Sequence, residues 1–379
     1  MILFKKSKSE WKTSNIGVIM SPLPLHNKVG DILLNKLMTI LIKSDIQKIY
    51  IISGNVPKNI FPYTDKIKVI DNISYNTLKK HIILKSFIYL LMQIKFSISI
   101  LKHRKKLDLI IFWISSSLLL PMITAKILKK KTLVMATGYT SVIYEHMKVL
   151  ESLNYYLTDL IGVESKCVIK HMNLQVYKSK VVVIHLYVDD NYVIRTKIKD
   201  RNNIVGYISR LSEEKGIIEF LDAAKQLIEK KHNIIFFIGG DGPLKQVVEH
   251  RVKKMERIDF VNWIPSENFI DTLNKLKLLV LPSFTEGLPN IVLEAMACGT
   301  PVLATPVGGI PDVIIDKQTG FIIIRNSPEC IAENIVQALD NQNLNQISID
   351  SRNLIVQKYT LDKAINNFNN FLRKLNKNK

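Results

Sequence analysis

The chain has 379 residues, of which 47% are hydrophobic and 23% charged, and its 53 basic residues against 33 acidic ones give a net charge of +20. This composition excludes a disordered or collagen-like chain and predicts two or three folded domains. The three cysteines, Cys167, Cys298 and Cys330, are isolated from one another and fit neither a zinc spacing nor a disulfide framework, so we expect a reducing compartment.

Short apolar runs alternate with longer amphipathic ones, a pattern typical of parallel sheets crossed by helices. In the first half we predict strands at residues 15–20, 48–53, 67–70, 107–114, 132–136 and 181–184, and helices at 31–42 and 118–129. In the second half we predict strands at 203–208, 233–238, 278–281, 301–304 and 321–324, and helices at 217–230, 290–297, 328–339 and 361–375. The chain is therefore predicted to be α/β, with two doubly wound domains that face a central cleft.

The predicted domain boundaries follow from this pattern. Residues 1–196 form the first domain and residues 197–360 the second, with the polar stretch 197–202 as a linker. The terminal helix at 361–379 can cross back to the first domain.

The positive charge is concentrated in the first half of the chain. Residues 1–190 hold 28 basic and 12 acidic residues, a balance of +16, whereas residues 191–379 hold 25 and 21, a balance of +4. A surface this basic is attracted to nucleic acid or to an anionic membrane. The alternative interpretation is that the composition of the proteome places lysine at any surface position.

The apolar run at residues 82–101 is the segment most similar to a membrane span. It contains Lys85 and Lys95, and a lysine at the middle of a bilayer costs about 2.5–3.5 kcal/mol. We therefore expect a buried helix, or one that lies on an anionic bilayer between its flanking lysines, rather than a span. Because no signal peptide is recognisable, we expect a cytoplasmic protein, bound peripherally to the inner face of the cell membrane.

The stretch 282–309 carries the strongest chemical signal. Glu286 follows a predicted strand in a loop rich in glycine and proline, and Glu294 lies one turn into the helix that begins near Asn290. A helix start attracts phosphate, and carboxylates accept hydrogen bonds from sugar hydroxyls. This layout matches a nucleotide sugar, which has a hydroxylated ring at each end of a diphosphate. The alternative, two solvated glutamates, is weak for Glu294 because its helix is apolar nearly all round.

A second set of residues supplies positive charge. Arg210 and Lys215 lie between a predicted strand and a helix and can clamp a diphosphate, although a solvated pair in a loop is commonplace. No two aspartates are two residues apart, so no Asp-x-Asp pair is present to hold a metal ion on a diphosphate. Residues 239–243 predict a tight turn between a strand and a helix, in which Gly240 lets the backbone approach a neighbouring group closely. The dinucleotide-binding pattern needs a third glycine at position 245, where this chain has Lys245.

The first half offers weaker candidates. Gly30 precedes a predicted helix, where it is either a point of backbone approach to a ligand or part of an ordinary helix cap. Thr137 and Gly138 follow the predicted strand 132–136 and can face the cleft. The histidines have no partner at a suitable spacing.

Three runs together, SRLSEEKG, GDGP and PSFTEGLPNIVLEAMACGTPVLATPVGGIPDVI, resemble the family 4 (group 1) glycosyltransferases of the GT-B fold over about residues 203–341. The first half is similar to that family only in outline. The resemblance implies a retaining, metal-independent transfer from a UDP- or GDP-sugar to a lipid-linked or glycan acceptor, with no further cofactor. The first domain would be the acceptor side and the second the donor side.

The resemblance also implies a role for each matching residue. Arg210 and Lys215 would hold the diphosphate, Glu286 the donor-sugar hydroxyls and Glu294 the ribose, and Gly30 would lie near the donor or the acceptor. The backbone beside the phosphates would come from Gly240, Gly287, Leu288, Pro289 and Asn290. Many family members carry a histidine where this chain has Thr137-Gly138, and we expect Thr137 and the Gly138 backbone to take its place.

Two other classes of function stay open at this point. One is a sugar-nucleotide-binding protein of the same fold with epimerase-like or lost transferase activity. The other is a nucleic-acid-binding protein, for which the sequence has no recognisable reader motif. We expect no nucleic-acid partner.

Overall fold

The computed structural model describes residues 14–20, 28–53, 64–72, 82–113, 117–136, 147–185 and 187–377. The chain divides into two compact units, each built on a parallel sheet. Unit 1 comprises Met1–Val163, Leu174–Leu186 and Ala364–Lys379, and unit 2 comprises Glu164–Asn173 and Tyr187–Lys363.

The strands, in chain order, are β1 (Ser14–Met20), β2 (Ile46–Ser53), β3 (Ile67–Asn72), β4 (Leu109–Trp113), β5 (Lys131–Ala136), β6 (Leu160–Val163), β7 (Val181–Val183), β8 (Ile204–Ile208), β9 (Ile235–Gly239), β10 (Ile258–Val261), β11 (Leu278–Leu281), β12 (Val302–Ala304) and β13 (Phe321–Ile322). The α-helices are α1 (Lys28–Lys43), α2 (Ile82–His103), α3 (Leu119–Ile127), α4 (Met147–Leu157), α5 (Lys166–His171), α6 (Ile217–Glu229), α7 (Lys245–Val252), α8 (Ser266–Lys275), α9 (Asn290–Ala297), α10 (Pro328–Leu339), α11 (Leu344–Lys358) and α12 (Leu361–Lys377).

The sheet of unit 1 has seven strands within the described residues, in the order β3-β2-β1-β4-β5-β6-β7, and all of its strand pairs are parallel. Strand β4 is buried along its whole length, as expected for a strand that helices cover on both faces. Helix α12 belongs to this unit from Ala364 onward, and its Phe368 and Phe371 are buried with their ring centroids 5.3 Å apart.

The sheet of unit 2 has six strands within the described residues, in the order β10-β9-β8-β11-β12-β13, again all parallel. Side chains alternate along each strand, so two apolar cores form, one on each face. Tyr207 and Phe220 pack in one core, with ring centroids 5.3 Å apart, and Leu279 and Val292 pack in the other. The strand order reverses between β8 and β11. The expected class, a doubly wound α/β fold in two units, is confirmed.

The structure corrects the placement of Gly30. Helix α1 begins at Lys28, so Gly30 lies in its first turn rather than before it. Thr137 and Gly138 lie outside the described residues.

Two residues of the polar stretch 197–202 are buried in unit 2. Ile198 is buried, and the Arg201 guanidinium is 5% exposed and donates hydrogen bonds to the carbonyl oxygens of Leu276 and Cys298, both at 2.8 Å, and to Thr300 Oγ1 at 2.7 Å. Burial lowers the pKa of Arg201 to about 10. Arg201 therefore ties the start of unit 2 to the chain segments that follow α8 and α9, whereas Lys197, Lys199, Asp200 and Asn202 are exposed.

Candidate functional site

The loops that follow β8 and β11 form the candidate site. These strands are neighbours and parallel, with Val205 paired to Leu278, so residues 209–216 and 282–289 leave the sheet at the same edge. The strand order reverses between β8 and β11, and open α/β sheets bind ligands in the crevice at such a reversal.

A buried ion pair joins the two loops. Lys215 Nζ lies 2.8 Å from Glu286 Oε2, and the side chains are only 15% and 6% exposed. Ser283 Oγ donates to the other carboxylate oxygen, Oε1, at 2.7 Å, and Lys215 Nζ also donates to the Thr285 carbonyl at 3.4 Å. The sequence-predicted residues Lys215 and Glu286 are thus brought together, and Ser283 is a partner that the sequence did not indicate.

Two features hold residues 209–216 against the second loop. The buried Tyr207 hydroxyl donates to the carbonyl oxygens of Arg210 and Lys215, each at 3.2 Å. Gly216 has φ +70°, and a Cβ at this position would lie 1.9 Å from the Pro282 carbonyl oxygen. Only glycine permits this approach of the two loops, and the approach places Lys215 beside Glu286.

Gly240 lets the turn after β9 pack closely against the loop of residues 209–216. Its φ is +152°, and an added Cβ would lie 1.9 Å from the Ser209 carbonyl oxygen. Leu211 N–H donates to the Asp241 carbonyl at 3.0 Å, and Leu244 N–H donates to the Leu211 carbonyl at 2.9 Å. The close backbone approach predicted at Gly240 is therefore made to the loop that carries Arg210. The Arg210 side chain itself is exposed.

Residues that follow β12 and β13 hold the 282–289 loop in place. The Ser283 carbonyl accepts a hydrogen bond from Thr305 Oγ1, and Gly309 N–H donates to the Gly287 carbonyl at 2.5 Å. Asn326 Nδ2 donates to the Pro282 carbonyl at 2.6 Å. Hydrogen bonds therefore hold the backbone both before and after Glu286.

Helix α9 begins directly after this loop, with Pro289 at its N-cap in an extended conformation. The first backbone N–H groups of a helix lack intrahelical acceptors and carry the positive end of the helix dipole. Glu294, one turn along, is buried, and burial together with the nearby Glu294 carboxylate raises the pKa of Tyr192. Glu286 and Glu294 therefore lie on either side of the start of α9, as the sequence predicts.

Glu164 is a site residue that sequence reasoning missed. Its Oε2 accepts a hydrogen bond from Leu288 N–H at 3.4 Å, although the two residues are 124 positions apart. Burial raises the pKa of Glu164 to about 7; the Glu286 carboxylate adds to this increase and the Leu288 hydrogen bond opposes it. Glu164 is therefore a carboxyl group that titrates near neutral pH and contacts the loop before α9.

The neighbours of Glu164 explain how it reaches the loop. Ser165 caps α5 by accepting from Val168 N–H at 3.4 Å, and the Asp312 carboxylate accepts from Lys166 N–H at 2.6 Å. A serine before a short helix is a visible capping signal. No local pattern connects Glu164 to Leu288, so this contact could be found only from the structure.

Two of the other candidates belong to other parts of the chain. Gly30 belongs to unit 1, and Thr137 is outside the described residues, so the roles expected for both stay predictions. Gly287, Leu288, Pro289 and Asn290 form the loop and helix start just described.

Comparison with known proteins finds a family match for the part of the sequence that forms this site. Residues 189–352 match the family model described as glycosyl transferases group 1. An uncharacterised glycosyltransferase of Methanocaldococcus jannaschii is 26% identical over 204 residues, which cover 52% of this chain and 56% of that protein. The capsular polysaccharide biosynthesis glycosyltransferase CapM of Staphylococcus aureus is 24% identical over 169 residues, 43% of this chain and 44% of CapM. The chain thus spans about half the length of these relatives.

Comparison of structures covers nearly the whole chain. HepE of Anabaena, solved in complex with UDP, has a TM-score of 0.73 at 15% identity and covers 96% of this chain and 100% of its own. The same protein solved with UDP-glucose has a TM-score of 0.71. Likeness at this level of identity shows the fold. The chain has the GT-B fold, and its residues 189–352, which include Arg210, Lys215, Glu286 and Glu294, match the group 1 glycosyl transferases.

Proposed function

We propose that the chain is a family 4 glycosyltransferase that transfers a sugar from a UDP- or GDP-sugar to a lipid-linked or glycan acceptor, with retention of configuration and without a metal ion. The observation that carries this proposal is the buried Lys215–Glu286 ion pair at the strand-order reversal, beside the start of α9. The names of the curated relatives and the UDP bound by HepE support it.

The diphosphate of the donor would bind beside the two cations of the site and the start of α9. Lys215 supplies an ammonium group held by Glu286, Arg210 supplies an exposed guanidinium, and the start of α9 supplies backbone N–H groups. In the transfer, the acceptor's hydroxyl oxygen forms a bond to the anomeric carbon and gives up its proton. The bond from that carbon to the phosphate oxygen breaks, and its electron pair stays on the departing diphosphate. Lys215 is already in position to stabilise that charge, so little reorganisation is needed at the moment of reaction.

The two glutamates would bind the two hydroxylated ends of the donor. Ser283 and Lys215 fix the Glu286 carboxylate, which keeps lone pairs to accept hydrogen bonds from donor-sugar hydroxyls. Glu294, one turn further along α9, would accept from the ribose hydroxyls. The carboxylates therefore orient the donor, and the cations and the helix start take up its charge.

The proposed reaction is tested with radiolabelled UDP-, GDP- and ADP-sugars and a membrane lipid extract. We expect one UDP- or GDP-sugar to label the extract, with or without EDTA.

Lys215→Ala should lower the turnover number by roughly a hundredfold or more, because it removes the charge that stabilises the departing diphosphate. Lys230→Ala, at an exposed lysine of the same unit, is the matched control. Loss of wild-type activity in EDTA would contradict a metal-free reaction, and a donor sugar that is epimerised without transfer would contradict the proposed function.

The two glutamates should respond differently to neutralisation. Glu294→Gln should weaken binding of the free nucleoside diphosphate, because it alters the ribose contact. Glu286→Gln should leave that binding nearly intact, since Lys215 stays available to phosphate, while turnover falls. Calorimetric titration with UDP and GDP measures both variants against Glu256→Gln, a control at an exposed position. If both site variants bind the nucleoside diphosphate equally weakly, the assignment of Glu286 to the donor sugar and Glu294 to the ribose is wrong.

Glu164 should make donor binding depend on pH. With a pKa of about 7, its carboxyl group is neutral at pH 6 and ionised at pH 8, where it repels phosphate and competes for the Leu288 N–H. Between pH 6 and pH 8 we expect wild-type affinity for the nucleoside diphosphate to fall by roughly threefold to tenfold relative to Glu164→Gln. Titrations of both proteins at each pH provide the comparison. Parallel pH profiles would rule out this role for Glu164.

A further inference from the structure

Helix α2 in unit 1 has apolar side chains on two faces. One face is buried and includes Ile88, Met92, Phe96 and Ile100. The other presents a row of five exposed side chains, between 41% and 56% exposed, at spacings of three and four residues: Phe87, Leu90, Ile94, Ile98 and Leu101. Such spacing places the five on one side of the helix. Exposed apolar rows of this length mark a surface that another molecule covers.

Helices α3 and α4, which follow α2 in the chain, also expose apolar side chains. Helix α3 packs against α2 and against α4. It exposes Ile127 at 75%, together with Ile123, and α4 exposes Tyr156 at 70%, together with Val149 and Leu153. We call these ten side chains on α2, α3 and α4 the apolar surface. Three adjacent helices of one unit thus present apolar side chains outward.

The charged residues of α2 and of the short 3-10 helix that follows it are of one sign. Residues 82–106 contain six basic and no acidic residues. Lys95 and Lys102 on α2 are exposed, as are all three residues of the short 3-10 helix that follows, Arg104–Lys106. The acidic residue of α4, Glu151, is 8% exposed. An apolar surface with an exposed basic cluster beside it is complementary to a bilayer with anionic headgroups.

We propose that the apolar surface of unit 1 docks on an anionic lipid bilayer, with its apolar side chains at the level of the headgroups and the cluster Lys102–Lys106 against lipid phosphates. The protein does not span the bilayer in this arrangement. Among the described residues, no helix combines the length and apolarity that crossing would require. The net charge of +20 disfavours a second copy of the chain as the occupant, because like charges repel. The inference concerns unit 1 alone and does not require the sugar transfer proposed above.

Co-sedimentation with vesicles tests the docking. Wild-type protein should sediment with equimolar phosphatidylcholine–phosphatidylglycerol vesicles at low salt, far less at high salt, and not with phosphatidylcholine alone. Changing the basic residues of the cluster, Lys102→Gln, Arg104→Gln, Lys105→Gln and Lys106→Gln together, should lower the partition coefficient by about a hundredfold or more. The control carries the same change of charge at exposed sites of unit 2: Lys230→Gln, Lys253→Gln, Lys254→Gln and Lys275→Gln.

The apolar row has its own test. Phe87→Gln, Ile94→Gln and Ile98→Gln together should lower the partition coefficient at least tenfold. The matched control, Val247→Gln, Ile349→Gln and Val356→Gln in unit 2, should bind as wild type. Insertion is measured directly with Ile98→Trp, whose fluorescence should be quenched by brominated lipid, whereas that of Val356→Trp should not. This second measurement does not depend on whether the triple variant folds.

Several outcomes would overturn the proposal. Wild-type protein that stays in the supernatant with anionic vesicles at low salt excludes docking. Unchanged binding of the apolar-row variant, or no quenching at Ile98→Trp, would show that charge alone attracts the protein and that this face stays in water. Dimers in light scattering that the apolar-row variant abolishes, without vesicle binding, would assign the face to a second copy. Resistance to alkaline carbonate extraction would point to a true span.

Discussion

The buried ion pair between Lys215 and Glu286 is the contact on which the candidate site depends. Each group has lost most of its hydration, so each needs the other. Removing one partner from a buried pair typically costs about 3–5 kcal/mol, because the remaining charge is left without compensation. The surrounding structure is built to keep the two groups together: Tyr207 and Gly216 hold one loop, and Thr305 and Gly309 hold the other.

Negative charge is abundant at a site proposed to bind an anion. Glu286, Glu294 and Glu164 all lie on or beside the loop before α9, whereas the side-chain cations are Arg210 and Lys215. The ion pair offsets Glu286, and the raised pKa of Glu164 leaves its carboxyl group partly neutral at pH 7. In the proposed function, donor binding would depend on how these charges are compensated. Glu164 accepts a hydrogen bond from the Leu288 N–H, where the proposal places phosphate, so under that proposal its protonation state would affect phosphate binding.

The sequence predicts the elements around the candidate site of unit 2 well because their signals are local. Strand β11 is four buried apolar residues, and α9 lies between Pro289 and Gly299, whose φ of +66° suits a helix end; both elements have the predicted bounds. The sequence also singles out Lys215 and Glu286, each in a loop after a strand, but their ion pair is a finding of the structure. In unit 1, Gly30 was misplaced because α1 extends one turn before its apolar pattern becomes visible.

Other features depend on contacts between distant residues, which a single sequence does not show. Strands β6 and β10 escaped prediction because β6 is only four residues long and includes Gly162, while β10 is a partly exposed edge strand with Asp259. The sequence predicts that Arg201 is a polar linker residue. In the structure it is buried, and its guanidinium donates hydrogen bonds to carbonyl groups of two turns that are distant in the chain. Glu164 reaches Leu288 through the placement of α5, which depends on Asp312 far along the chain.

The most direct test of the account is backbone amide hydrogen exchange with and without bound UDP and, separately, GDP. If the donor diphosphate binds at the strand-order reversal of unit 2, the bound nucleotide should slow exchange in peptides that contain residues 209–216 and 282–294. Exchange elsewhere in unit 2 should change far less. Saturating nucleotide that leaves those two segments unchanged, or that protects only unit 1, would contradict the account.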